Sequence, residues 1–383
     1  MQTAKLDLVN LYKLPWSEND NPNGWIEVTT YCQLACPGCY RGLALPNPPR
    51  IHEKFSKLKK DIDTLIKIRK IKILSIAGGE PLLYPHLDEL LKYAKSRGLN
   101  NRLVTNGAAL SEKRLKELKK LGVCEITIHV AQYQNRGNFK NEKETNAIRE
   151  YFCKIFRHVK SIELNFIITV SKNNFSQLAN IIDYCQKNSD VVSRVFFTNY
   201  RDALFGKNEK EDTRNYASFN SLVNLVQSKY QAEPCAYLGK TLSKNLVSWL
   251  FFAPIMLGKE TIGYADSQTV KKLYERSTQG EWDSFPAQSS PAQLIQSLSL
   301  LSKKTTLSIL KGYTTTLFKN PINLRHTPKV QLVILLNTPR KINAGYDLCD
   351  GCPDAILFNH ELVPSCLLEK IKSGEQIRFQ KSN

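Results

Sequence analysis

Between Trp25 and about Asn199, short β-rich runs alternate with helix-patterned stretches, and this alternation restricts the fold more than any other feature of the chain. WIEVTT precedes a helix near 53–70, IKILSIA one near 86–97, NRLVTN one near 111–121, CEITIHV one near 142–158, and IELNFIITV one near 175–188, before a final run, SRVFFTN. Strands separated by helices through short connections pair in parallel, so the expectation is an α/β fold with a partial (βα)6 TIM-like barrel. In such a fold the loops after the C-terminal ends of the strands carry the site.

At 383 residues the chain exceeds one such unit. It is expected to divide into an N-terminal arm (1–20), the barrel core (21–200), a mixed region (201–345) that is a candidate substrate-binding segment, and a cysteine-containing extension (346–383). After Tyr200 a charged stretch, GKNEKEDTR, leads to a helix near 217–230. Leu246–Leu257 is apolar apart from Ser248, which predicts a buried helix or the wall of an apolar pocket; it is too short to span a bilayer. Residues 276–320 read as an irregular connection with one helix near 291–303, and VQLVILLNTP (330–339) as a buried strand.

The opening MQTAKLDLVNLYKLPW lacks a basic stretch running into an apolar one, so no signal peptide and no membrane span are expected, and the location expected is cytoplasmic. Lys and Arg number 54 against 35 Asp and Glu, a net charge of +19. The lysines are scattered through helical stretches, which reads as a solvated basic surface. No face interleaves aromatic and basic residues, so nucleic acid is not the favoured partner.

Three of the ten cysteines crowd into TYCQLACPGCYRG, as Cys32, Cys36 and Cys39 at CxxxCxxC spacing directly after the first strand. Three thiolates on one tight loop bind three irons of a cubane and leave the fourth without a protein ligand. A zinc site usually recruits a fourth Cys or His nearby, and none is closely spaced here. Cys124, Cys153 and Cys185 stand alone and read as small core residues. AGGEP closes the second strand, with Gly78 and Gly79 allowing close approach of backbone to a ligand and Glu80 beside a charged group. Thr105, Asn106 and Gly107 follow the third strand. His129, with Gln132, lies at or beyond the end of the fourth; its alternation with Ile126 and Ile128 leaves a pocket role and a satisfied barrel histidine equally open.

CxxxCxxC after the first strand together with AGGEP after the second resembles the radical S-adenosylmethionine (SAM) superfamily over roughly residues 25–200. The resemblance implies a 4Fe-4S cluster on Cys32, Cys36 and Cys39, which are then the catalytic ligands. SAM would chelate the open iron, and an electron from a donor such as flavodoxin or ferredoxin would split it into methionine and a 5′-deoxyadenosyl radical that abstracts hydrogen from an organic substrate. It further implies SAM-binding roles for Gly78, Gly79 and Glu80 at the amino group and for Thr105, Asn106, His129 and Gln132 at ribose or carboxylate. Asn165, Ser171 and Asn173 would sit near adenine. Where the family has an aromatic residue between its second and third cysteines this chain has Gly38, and Tyr40 is the substitute adenine contact.

Cys349, Cys352 and Cys366 form a second group, with FNHEL predicted as a hairpin returning the last to the first two. An auxiliary 4Fe-4S cluster, zinc, and metal-free thiols all remain open; Cys235, Asp347, Asp350 or the substrate would be the fourth ligand. The segment loosely resembles shortened auxiliary-cluster extensions of the same superfamily. The functional expectation is hydrogen abstraction from a small molecule, lipid or peptide; the alternatives are an RNA-modifying enzyme of the same type and a non-catalytic metal-binding protein.

Overall fold

A computed structural model describes residues 6–43, 48, 50–134, 136–137, 139–201, 213–243, 245–276, 299–319, 321–342 and 345–372. Six parallel strands follow the expected order: β2 (Asn23–Glu27), β3 (Ile73–Ala77), β4 (Asn100–Thr105), β5 (Val123–His129), β6 (Glu163–Val170) and β7 (Val192–Asn199). The helices between them are α1 (Phe55–Arg69), α2 (Leu87–Ser96), α3 (Glu112–Lys120), α4 (Asn146–Val159) and α5 (Leu178–Lys187). Each lies within a few residues of its sequence-predicted range.

Period-two alternation gives the sheet two unlike faces. Ile26, Leu74, Ile76, Leu103, Ile126, Ile128, Phe166, Ile168, Val195 and Phe197 are buried against Leu58, Ile62, Leu90, Leu115, Phe152 and Ile182 of the helices. The opposite face is polar toward the strands' N-terminal ends. There Arg102 lies 2.7 Å from Glu125, Arg194 lies 2.7 Å from Glu125 and 2.5 Å from Glu163, and Asn165 donates to Glu125 at 2.6 Å. Burying charge is tolerated when each carboxylate meets a cation and further donors.

Beyond β7 the sheet continues instead of closing. The mixed region contributes β8 (Pro234–Gly239), β9 (Val247–Phe252) and β13 (Leu332–Leu336); β13 pairs parallel to β7 and antiparallel to β9, and β8 pairs antiparallel to β9. The arm adds β1 (Tyr12–Lys13) beside β8, so that the described residues place ten strands in one sheet. The expected helix at 246–257 is thus corrected to two strands, β9 and β10 (Pro254–Leu257). With both faces of the sheet covered, apolar side chains run continuously and erase the alternation that would have marked strands. Between β10 and β12 (Lys329–Val330) lie β11 (Glu260–Tyr264), α7 (Ser267–Arg276) and α8 (Lys303–Lys319); the helix expected near 291–303 falls mostly outside the described residues, and the irregular connection expected at 303–319 is a helix. The predicted helix near 217–230 is α6 (Phe219–Tyr230), whereas most of the charged stretch before it lies outside the described residues.

At the C-terminus, after β14 (Arg340–Ile342) and β15 (Gly345–Asp347), strands β16 (Ala355–Phe358) and β17 (Glu361–Pro364) form the predicted hairpin. Its turn residues Asn359 and His360 have φ of 48° and 68°, the left-handed pair that a two-residue hairpin requires. The hairpin and the short helix α9 (Leu368–Lys372) bury Ile356, Val363 and Leu368 against Trp25 and Ala77, so the extension covers the polar face of the sheet at its β2 edge. No helix among the described residues is long and apolar enough to cross a membrane.

Candidate active site

The loop leaving β2 delivers the first thiol group. Cys39 N–H donates to Cys36 carbonyl at 3.1 Å and Gly42 N–H to Cys39 carbonyl at 2.9 Å, so the cysteines sit on consecutive turns. Cys32, Cys36 and Cys39 are all partly buried and line one cavity of about 380 Å³. Burial raises the thiol pKa of each; for Cys36, pushed up to about 12, the neighbouring Cys39 and Cys32 add to it and the Arg136 guanidinium opposes it. Arg136, which the sequence reading missed, donates to the carbonyls of Asn106 and, at 2.8 Å, His129. It supplies positive charge beside the thiols.

The glycines of AGGEP approach a neighbouring backbone. Gly79 N–H donates to Thr29 carbonyl and Glu80 N–H to Tyr31 carbonyl, both at 2.7 Å. A Cβ on Gly79 would stand 2.3 Å from Tyr31 carbonyl oxygen, so the two strand ends meet only because that side chain is absent. Both glycines also line the cavity. Glu80 is fully buried, and its carboxylate accepts from Thr105 Oγ1 at 2.6 Å, Leu82 N–H at 2.9 Å and Asn106 N–H at 2.7 Å. It acts as a strut between the second and third strand ends. Asn106 in turn places Nδ2 3.5 Å from Cys32 Sγ and 3.2 Å from Gln33 Oε1, carrying the constraint to the cysteine loop.

Thr105, Asn106, His129 and Tyr40 line the same cavity. His129 Nε2 is 3.1 Å from Thr169 Oγ1; burial, with Arg136 and Arg149 nearby, lowers its pKa to about 3 and keeps the ring neutral. Tyr40 donates its hydroxyl to Glu27 at 3.0 Å. Arg41 lies 2.7 Å from Glu27 and 2.5 Å from Glu369 of α9, latching the cysteine loop to the extension. The other polar candidates face elsewhere. Gln132 binds Lys140 carbonyl and Glu142, Asn165 belongs to the charged network under the site, and Ser171 caps against Asn174. In their place the strand ends present Ile167, Thr169, Thr198 and Asn199, with Tyr133 and Tyr200 from the loops.

The second thiol group lines this same cavity: Cys349, Cys352 and Cys366, with Ser248, Trp249, Tyr346 and Lys370. The wall-of-a-pocket reading of 246–257 therefore holds for Ser248 and Trp249. Gly351, at φ +64°, lets the Cys349–Cys352 turn sit against the arm, where a Cβ would come 2.1 Å from Trp16 carbonyl oxygen. Asn21, Asn23 and Arg69 donate to the carbonyls of Gly351, Pro353 and Cys352. The proposed fourth ligands from the protein are elsewhere. Cys235 is buried in an apolar cluster, Asp347 accepts from the N–H groups of Leu242 and Ser243, and Asp350 pairs with Lys13 at 2.8 Å. Asp354, two residues beyond Cys352, lines the cavity instead, its carboxyl pushed up to about 7 by burial against the pull of Arg102 and Arg69. Of the isolated cysteines, Cys153 and Cys185 are core residues as expected, whereas Cys124 is exposed: alternation turns Val123 inward and Cys124 outward.

Among the described residues no three His, Cys, Asp or Glu side chains are already closed into a metal cage. The donor chemistry nonetheless suits iron–sulfur: three thiols on one loop, the half-buried Arg136 guanidinium at their side, and open cavity before them.

Residues 26–185 match the family model of the radical SAM superfamily. Among curated proteins, the chain is 29% identical over 175 residues to an AdoMet-dependent heme synthase of Methanosarcina barkeri, covering 45% of this chain and 49% of the relative. It is 33% identical over 107 residues to a PqqA peptide cyclase of Bradyrhizobium diazoefficiens, covering 27% of each. The matches thus span half or less of those relatives' length. Among solved structures, SuiB of Streptococcus suis bound to S-adenosylmethionine is similar at 17% identity and a TM-score of 0.41, over 55% of this chain and 47% of that one. Residues 26–185, whose strand ends gather Cys32, Cys36 and Cys39 at the head of one cavity, form a domain that matches the radical SAM superfamily.

Proposed function

We propose that the chain is a radical SAM enzyme whose Cys32, Cys36 and Cys39 hold a 4Fe-4S cluster and whose cavity seats SAM and an organic substrate together. The observation that carries this reading is the single cavity lined by both thiol groups and by the ends of the parallel strands. When bound, the cluster supplies the electron that splits SAM into methionine and a 5′-deoxyadenosyl radical, the species that takes hydrogen from substrate.

The chain's own residues then bind and shield. Glu80 fixes Thr105 and Asn106 beside the cysteine loop, so those groups, with Gly78 and Gly79, form the polar wall for SAM. His129, kept neutral, serves as a hydrogen-bonding group and not as a cation. Tyr40, held by Glu27, presents its ring for adenine. Trp249, Tyr346 and Leu367 supply apolar surface on the second thiol side, which suits a small molecule or a peptide side chain and excludes water from a radical intermediate. Cys349, Cys352 and Cys366 are the ligands of a second iron–sulfur site at the substrate end, and a carrier such as flavodoxin or ferredoxin supplies electrons.

Anaerobic reconstitution with iron and sulfide tests the reading. Broad absorption near about 400 nm should appear, and SAM titration should perturb the cluster's paramagnetic resonance. A protein that takes up no iron through Cys32, Cys36 and Cys39 would overturn it.

A further inference from the structure

Helix α8 is mounted inside out. The residues it turns toward β11 are small and polar: Thr305 bonds to Asp266 at 3.1 Å, Ser308 accepts from Tyr264 N–H at 3.3 Å, and Gly312 lies so close that a Cβ would come 2.0 Å from Ile262 carbonyl oxygen. Thr305 and Thr316 are buried. Leu307, Leu310 and Phe318, which share the opposite face at helical spacing, are 65%, 57% and 84% exposed. Tyr313 at the flank and Ile322 in the turn beyond are exposed as well. A globular helix ordinarily buries its apolar face, so this face awaits a cover.

Charge identifies the cover. From Ser284 to Tyr346 the sequence has no Asp or Glu, and it has eight Lys or Arg. Lys303, Lys311, Lys319 and Arg325 are exposed around the apolar side chains. Protruding leucine and phenylalanine ringed by lysines match an interface where apolar groups dip below headgroups while lysine ammonium groups stay among phosphates. A second copy would set like charges face to face.

We propose that the exposed face of α8, with Ile322, docks the protein on the surface of an anionic phospholipid bilayer. This is peripheral attachment and independent of the radical SAM assignment.

Co-sedimentation of the full chain with vesicles tests it. Binding is expected to vesicles containing roughly 30% phosphatidylglycerol in phosphatidylcholine and not to phosphatidylcholine alone, and it should be lost at about 0.5 M salt. Leu310→Ser with Phe318→Ser should weaken binding at least about tenfold, as should Lys311→Glu with Lys319→Glu, while circular dichroism and urea midpoints stay at wild-type values. Equal binding to both vesicle types, or none, would overturn the proposal. So would a dimer in sedimentation velocity that Leu310→Ser with Phe318→Ser abolishes, which would assign the face to a second copy. Binding to polyglutamate that those two serines leave intact, without vesicle binding, would assign it to an acidic macromolecule.

Discussion

Replacing Glu80 by alanine removes the strut on which the SAM wall depends, and its cost follows from the contacts. The carboxylate is wholly buried and serves three donors: Thr105 Oγ1, Leu82 N–H and Asn106 N–H. Thr105 can rotate its hydroxyl, but the two backbone N–H groups cannot move, and each buried unmet donor costs about 1–3 kcal/mol. Against this stands relief from desolvating the carboxylate, the cause that raises its pKa. The net expectation for Glu80→Ala is a loss of about 2–5 kcal/mol. Glu80→Gln keeps one acceptor but can turn an NH2 toward an existing donor, so it should lose less, about 1–2 kcal/mol. Urea unfolding of the reduced, iron-free proteins reads both values, and SAM titration of the reconstituted proteins reads the effect on the site, where affinity should fall in the same order. Alanine within about 1 kcal/mol of wild type, or glutamine as damaging as alanine, would refute the strut.

His129 should make the fold acid-sensitive. Its folded-state pKa near 3 lies below the ordinary histidine value, so the stability is complete above about pH 6.5 and drains away as pH falls toward 3. Urea midpoints between those limits should therefore fall more steeply in wild type than in His129→Gln; parallel profiles would contradict the neutral ring. Gly351→Ala should loosen the second thiol segment, because its Cβ meets Trp16 backbone at a left-handed φ. Cys349 and Cys352 of the iron-free variant should react faster with a thiol reagent, and unchanged rates would show that the arm does not clamp them. Reconstituted wild type should contain about eight irons per chain and Cys349→Ala with Cys352→Ala about four. Four irons in wild type, or stoichiometric zinc, would remove the second cluster.

The six β/α units were legible because each keeps its own period and ends in a loop. Cys32, Cys36, Cys39 and Gly78–Glu80 could be placed from strand ends alone, since such loops converge in a parallel sheet. Beyond Tyr200 local pattern failed for physical reasons. Strands β9 and β10 are covered on both sides and so read as one apolar run. In α8 the apolar side chains point outward, so its pattern could not be referred to a core. Lone residues were invisible: Arg136 acts through carbonyls of Asn106 and His129, Arg41 through a glutamate 328 residues away, and Asp354 through a hairpin whose seat the sequence does not specify. Glu80 was found by motif, but its partners show it gripping the adjacent strand end more than the cavity.

The central claim rests on whether the loop after β2 performs SAM cleavage. Dithionite-reduced, reconstituted wild type incubated with SAM under anaerobic conditions should release 5′-deoxyadenosine and methionine, measured by liquid chromatography and mass spectrometry. Cys32→Ala with Cys36→Ala and Cys39→Ala should release none. Wild type that binds iron yet yields no 5′-deoxyadenosine, or a triple variant that still yields it, would contradict the account.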